Sequence, residues 1–393
     1  MIHRGYRYAL HPTAAQARVM AGWAGAVRLV YNLALEQRRD FWRQYRRATG
    51  KNISWASQSR EVTALREEHD WLAAVPRCAL EQALRDLERA LGGFFAGRTG
   101  YPTPRRKFLN DTIRIQAVGI SFRELNAKWS AVRLPRVGWV KFRRTRRFAG
   151  RVLSATISLS AGRWAISVAT EADAASVAPS TTAVGIDRGI ARTLTLSTGE
   201  HMQAPDTATI TWRHKRAQRA LARCRMGSGR RKIAKARVVA LSARAARIRA
   251  DWSHRASSDI ARRFGMVAIE ALNIPKMTAR AIGTGVRQKA GLNRSILEQC
   301  WGSFARNLEY KLTERGGVLI SVPAAYTSQT CACCGVVDAR SRESQAVFRC
   351  VHCGHHDNAY VNAAKEILRR STARLGAEGA YWAPVETPIM AAA

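Results

Sequence analysis

Two Cys-x-x-Cys pairs, Cys331/Cys334 and Cys350/Cys353, stand with fifteen residues between them and constrain this chain more than any other feature. Each pair lies in a short turn closed by a glycine, Gly335 or Gly354. Such knuckles aim two thiolates at one point, and two knuckles complete a tetrahedral four-cysteine site for a structural Zn2+. A disulfide framework fits poorly, because neighbouring knuckle cysteines are placed for a metal and nothing in the sequence suggests secretion. Cys333 is a spare thiol inside the first knuckle, and the x-x spacing favours its neighbours as ligands. Beyond the second knuckle, Asp357 is the expected N-cap of a helix over 358–370, with Val361, Ala364, Ile367 and Leu368 on one face.

Charge sets the class of partner. A formal net charge of +37 on 393 residues repels itself unless a polyanion lies beside it, so nucleic acid is expected. A hydrophobic fraction of 47% excludes general disorder. The sequence has no apolar run long enough to span a bilayer, and its start, MIHRGYRYAL, lacks a signal-peptide core. No membrane partner and a cytoplasmic location follow as expectations.

In chain order, residues 2–10 alternate as a strand, and Thr13 is set to cap a long helix with Val19, Trp23, Val27, Val30 and Leu33 on its apolar face. Arg28, Arg38, Arg39, Arg43, Arg46 and Arg47 fall largely elsewhere on it. Two more helices are expected, over 57–68 and from Pro76 to about Phe95. The stretch 97–107, GRTGYPTPRRK, is a stiffened basic loop in which Tyr101 suits base stacking and Arg105 and Arg106 suit phosphate contact. Short alternating segments from 112 to 170 indicate a small β barrel or sheet, with Lys141 and Arg143 on its most cationic rim. A Pro179-broken small-residue linker at 171–182 marks a domain boundary.

The second half carries acids in apolar strands. Asp187 ends Ala-Val-Gly-Ile, and Glu270 sits inside Val-Ala-Ile-Glu-Ala-Leu. A charge so placed requires a partner, and a divalent cation is the usual one. Between them, residues 212–249 hold fourteen Lys or Arg and no acid, and a Gly-Ser-Gly break at 227–229 makes a helical hairpin. Arg230, Arg231 and Lys232 lie at its bend, placed for a phosphate backbone. Residues 276–290 read as a mobile basic segment, 293–315 as one helix, and 318–324 as a strand.

The run TSQTC..CG…C..CG…NAA resembles the C-terminal signature of the TnpB family, the RNA-guided nucleases of bacterial insertion sequences related to miniature type V CRISPR effectors. The early strand, Pro12-Thr13, and helix with Arg28 and Tyr31-Asn32 are similar to that family's N-terminal part, which grips guide RNA and target duplex, so the resemblance implies a nucleic-acid contact for Arg28. The resemblance implies an α/β multidomain chain: a RuvC-like, RNase H-type fold with an inserted four-cysteine zinc ribbon, after a β-barrel wedge domain and a helical recognition lobe. Its boundaries would be wedge 1–12 and 97–175, helical lobe 13–96, RuvC-like fold 183–325 with a basic insert at 212–250, ribbon 326–356, final helix 357–371 and tail 372–393. It further implies a structured guide RNA, a double-stranded DNA target beside a short flanking motif, and catalytic Mg2+ held by Asp187 and Glu270. The family's last acid stands two residues before Asn-Ala-Ala, and here that position is Tyr360. A neutral phenol is a poor ligand for a hard cation. Guided binding with weak or lost cleavage is therefore expected. The alternative is an active endonuclease in which Asp357, one helical turn earlier, supplies the third acid.

Overall fold

The computed structural model describes residues 2–45, 49–50, 52–109, 111–173, 180–281, 284–375 and 383–384. Arg46, Arg47, residues 174–179 of the expected linker (Pro179 among them), and nearly all of the tail beyond 375 lie outside the described residues. Two compact units, Met1–Asp173 and Ala174–Ala393, make up the chain.

The first unit begins with β1 (Ile2–His11), whose alternation buries Tyr6, Tyr8 and Leu10. Thr13 then starts α1 (Ala14–Gln44): its hydroxyl accepts the Gln16 amide at 3.2 Å, and the Gln16 side chain accepts the Thr13 amide at 3.1 Å. The buried stripe of α1 runs through Met20, Trp23, Val27, Val30, Tyr31 and Ala34. Val19 and Leu33, expected on that stripe, are 42% and 51% exposed, because Met20 and Ala34 take its two ends. Ser54 caps α2 (Trp55–Glu68), and α3 (Arg77–Phe95) follows Pro76 with Leu80, Leu84, Leu87 and Leu91 buried.

Six further strands complete one antiparallel sheet: β2 (Thr112–Gln116), β3 (Ser121–Glu124), β4 (Trp129–Leu134), β5 (Gly138–Arg143), β6 (Arg151–Ser160) and β7 (Arg163–Ala172). Their order is β2-β6-β7-β1-β5-β4-β3, so the first strand of the chain lies at the centre, pairing Ile2 with Ala172 and Leu10 with Phe142. β3 is not expected from the sequence; Ser-Phe-Arg-Glu is too polar and short to show alternation. Helices and strands, which the sequence divides into two domains, here share one core from Tyr6 and Trp23 through Leu87 to Ile166.

The second unit is a mixed sheet with helices on both faces. Its order is β10-β9-β8-β11-β12, with β8 (Thr182–Asp187) central, β9 (Leu194–Leu196) antiparallel to it and β11 (Met266–Glu270) parallel. β10 (His201–Met202) and β12 (Val318–Val322) form the ends of that order. The basic hairpin consists of α4 (Ala208–Ala222) and α5 (Gly229–Arg263). The single helix expected over 293–315 is two, α6 (Val286–Glu298) and α7 (Trp301–Thr313), because Cys300 between them has a left-handed φ of 61°. Ile260, Phe264, Phe304 and Leu308 cover one face of the sheet. On the other face Ala183, Ala268 and Val322 meet Ile367 and Leu368 of α8 (Ala359–Leu375). A hairpin of β13 (Val347–Arg349) and β14 (His356–Asn358) precedes α8.

Candidate active site and metal centre

The two knuckles converge. Gly335 and Gly354 adopt φ of 76° and 73°, which closes each turn, and their amides bond back to the Cys331 and Cys350 carbonyls at 2.9 and 3.0 Å. The four sulfurs of Cys331, Cys334, Cys350 and Cys353 all lie within 4.8 Å of one another. Cys331 and Cys353 Sγ are 3.7 Å apart, and Cys334 and Cys350 Sγ 3.6 Å. A tetrahedron with Zn–S bonds of about 2.3 Å has edges of about 3.8 Å, so this donor set fits Zn2+. Sulfurs at these distances are not disulfide-bonded. Cys333 is exposed and outside the cluster.

The ribbon is fastened to α8 by Asn362, whose buried amide donates to the Thr330 carbonyl at 2.8 Å and accepts from the Ala332 amide at 3.0 Å. Two residues of the first knuckle are thereby fixed to the helix that carries Tyr360. Arg370 extends the same join, donating to the Ala325 carbonyl at 2.8 Å and to Thr330 Oγ1 at 3.0 Å. Glu366, fully buried on α8, holds Arg370 and Arg369 at 2.7 Å each.

Asp187 and Glu270 end neighbouring parallel strands, and Ile186 pairs with Ile269 immediately before them. The two carboxyls therefore emerge level at the same end of the sheet, about one strand spacing apart. Surrounding protein and the charge of Glu270 push Asp187 up to about 7, against the pull of Arg342 and Arg188. Burial also raises Glu270, opposed by a 2.8 Å hydrogen bond from the Thr327 hydroxyl and by Arg188 and Arg370. Arg188 is buried, donates to the Glu270 carbonyl oxygen, and has its own pKa lowered by that burial. Two crowded carboxylates with raised pKa values form a hard oxygen donor set short of positive charge, which fits Mg2+.

The start of α8 closes this end of the sheet. Gly185 permits it: a Cβ there would stand 2.0 Å from the Ala364 carbonyl oxygen. Tyr360, 8% exposed, consequently reaches the turn after Asp187, with its Cε1 3.6 Å from where a Cβ of Gly189 would be. Arg342 of the ribbon lies 5.8 Å from the Tyr360 ring centroid and is also among the charges that Asp187 feels. Asp357 does not cap α8. It sits in β14, opposite Phe348, and Asn358 Oδ1 takes the Tyr360 amide at 3.1 Å instead. The Asp357 carboxylate is held by Lys365 at 2.7 Å, with His355 at 3.8 Å.

The residues expected to meet nucleic acid divide into two sets. Arg28 forms an ion pair with buried Asp111, and Arg105 stacks 4.0 Å from the Tyr31 centroid while bonding Asp86 at 2.9 Å. Asn32 completes this anchor by accepting the Arg105 amide at 2.7 Å. Arg105 thus pins the 97–107 loop to α1, and Arg28 ties α1 to Asp111 just beyond it. Arg231 likewise donates to the Leu221 and Cys224 carbonyls and closes the end of α4. Tyr101, Arg106, Lys141, Arg143, Arg230 and Lys232 are exposed or half-exposed, with Arg143 5.5 Å from the Trp129 ring. Sequence reasoning missed Arg188, Thr327 and Arg342, whose only local mark is proximity to Asp187 or to the first knuckle.

Three family models match the chain: a Cas12f1-like TNB domain over residues 301–367, the OrfB_IS605 model described as "Probable transposase" over 165–281, and a helix-turn-helix model of the same group over 1–47. Among described residues 2–45, that last segment is one strand and one 31-residue helix rather than a helix-turn-helix. The "Putative RNA-guided DNA endonuclease InsQ" of Escherichia coli K12 is 35% identical over 93% of this chain and 91% of its own length. A "Putative RNA-guided DNA endonuclease" of Streptomyces pristinaespiralis is 31% identical over 93% of this chain and 89% of its own. Of solved structures, a Cas12f1–sgRNA–target DNA complex covers 94% of this chain and 100% of that chain at 16% identity and a TM-score of 0.34. Identity above 30% along nearly the whole length of two such relatives, with the insertion-sequence models matched in order, places this chain in the TnpB family.

Proposed function

We propose that the protein binds a structured guide RNA, pairs it with a complementary double-stranded DNA target beside a short flanking motif, and cleaves that target weakly or not at all. Both curated relatives are named as RNA-guided DNA endonucleases, which supports guided DNA targeting here. The second unit is then a RuvC-like, RNase H-type domain interrupted by a zinc ribbon, and the first supplies wedge and recognition surfaces. Asp187 and Glu270 would hold Mg2+, which when bound activates water and stabilises the leaving oxygen at a scissile phosphate. Thr327 orients the Glu270 carboxyl through its hydrogen bond, and the charge of Arg188 offsets part of the charge on both carboxylates. Among the described residues no helix is long and apolar enough to cross a membrane. A cytoplasmic location, where DNA and RNA partners are at hand, goes with this reading.

One observation carries the loss of cleavage: Tyr360, at the helix position of the family's last acid, packs its ring against the Asp187–Gly189 turn. Two carboxylates remain where the family resemblance implies a third at position 360. Asp357 is drawn off by Lys365, which weighs against a rebuilt site. The test is plasmid cleavage in Mg2+ by protein purified with its co-expressed RNA, beside a gel shift on the same guide-matched DNA. Binding without nicking is the expected result. Guide-dependent cleavage that Asp357→Ala abolishes would overturn it.

A further inference from the structure

The first unit contains a cleft of about 600 Å³ between the second half of α1 and the end of α3, with Tyr101 at its edge. Its walls are unusual for water-facing surface. Trp42 is 53% exposed, Phe95 65%, Tyr101 43% and Phe94 36%, four rings opening on one cavity. Single exposed aromatics are ordinary, but a contiguous group of them marks a binding surface. Three of the rings, Phe94, Phe95 and Tyr101, are held against one another. Phe94 meets Tyr101 edge-on at 5.2 Å and 89°, and Phe95 at 5.4 Å and 60°. Edge contacts of this kind leave ring faces uncovered, which is what a planar ligand needs.

Charge identifies the ligand class. Arg38, Arg39 and Arg43 line the same cleft. Arg38 is tied to Glu88 and Gln58, and Arg39 to Glu36 and Asp40, so these two set the shape of the wall. Arg43, in the last turn of α1, is exposed at the mouth. The basic loop at 97–107 continues from the same rim. Ring faces beside a guanidinium, on a chain of net charge +37, match an unpaired nucleotide: base against ring, phosphate against arginine.

The geometry points to this cleft as a pocket for an unpaired base of the bound RNA, a site distinct from the carboxylate pair and from the four cysteines. The inference rests on the RNA-binding part of the function proposed above. Tyr101 is the member visible in sequence; Trp42, Phe94 and Phe95 join it only in the fold.

The test uses full-length protein and a fluorescein-labelled single-stranded oligouridylate, titrated at several salt concentrations. Phe95→Ala and Trp42→Ala should each weaken binding by about 5- to 100-fold at every salt concentration, leaving the slope of log affinity against log salt unchanged. Phe95→Trp should retain wild-type affinity, whereas Phe95→Leu should not, since apolar bulk without a ring cannot stack. Arg43→Ala should reduce the slope by about 0.7. Unchanged thermal unfolding of the Phe95 variants separates these effects from misfolding. Wild-type affinity in Phe95→Ala and Trp42→Ala would overturn the pocket while leaving RNA binding intact. Failure of the wild type to bind any RNA would instead remove the premise. Displacement of the probe by polyglutamate in wild type but not in Phe95→Ala, with no RNA defect, would overturn the inference in favour of an acidic protein partner.

Discussion

On the function proposed above, Tyr360 is a single side chain on which the chemistry turns. Its replacement by aspartate adds a third carboxylate beside Asp187, and the missing stabilisation is of several kcal/mol, so Mg2+-dependent nicking in Tyr360→Asp should rise on the order of 100-fold or more. A radiolabelled guide-matched duplex measures it. Asp187 supplies a second expectation that does not depend on cleavage. Its carboxyl ionises near 3.8 when free and near 7 in the fold. Between those values the unfolded chain has lost the proton and the folded chain keeps it. The metal-free protein therefore loses stability as pH rises from about 4 to 7, by about 2–4 kcal/mol from this group. Urea unfolding at pH 5 and pH 8 should show that loss in the wild type, much less of it in Asp187→Asn, and partial recovery with Mg2+. The groups facing the carboxyl are Glu270, Arg188 and Arg342, and removing Arg342 should steepen the effect. At this scale the sequence was readable where a residue contradicts its neighbours: a thiol pair in a turn, an acid in an apolar strand. It was unreadable where a residue's role depends on a distant partner. Arg28 looked like a phosphate contact because nothing near it reveals Asp111, 83 positions on.

Elements position those residues, and the joint between α8, β8 and the ribbon is the most demanding. Gly185 has no room for a Cβ, so Gly185→Ala should displace α8 and destabilise the second unit by at least about 3 kcal/mol, visible in thermal unfolding. Asn362 is the other half of the joint. Asn362→Leu leaves the Thr330 carbonyl and Ala332 amide unpaired, at about 1–3 kcal/mol each if they stay buried. The expected readout is faster release of Zn2+ to a chromogenic chelator, with Cys333→Ser as an unaffected control. Periodicity located most helices and strands, since a 3.6- or 2-residue pattern survives in the sequence. It placed the wrong residue at the start of α8, because Asp357 and Asn358 are equally good caps and only the pairing of β14 decides between them. It also merged α6 with α7, since a left-handed cysteine leaves no compositional trace.

For the whole molecule, net charge governs behaviour toward polyanions. Affinity for single-stranded RNA should fall linearly in log–log salt plots, and replacing exposed Arg230 and Lys232 by alanine should lower the slope by about 1.4. Arg231→Ala should act differently, loosening the end of α4 through its lost bonds to Leu221 and Cys224. The order of strands in the first unit has a consequence for biosynthesis. β1 leaves the ribosome well before its partners, which lie at 138–143 and 163–172. Until residue 143 has emerged, a strand bearing Tyr6, Tyr8 and Leu10 has both of its edges open, and the edge that pairs with β7 stays open until residue 172. Nascent chains stalled before that point can form α1 and α3 but not the sheet they rest on. Throughout that interval the nascent chain carries an apolar strand with an unpaired edge, and a slower codon run before residue 138 would lengthen the exposure.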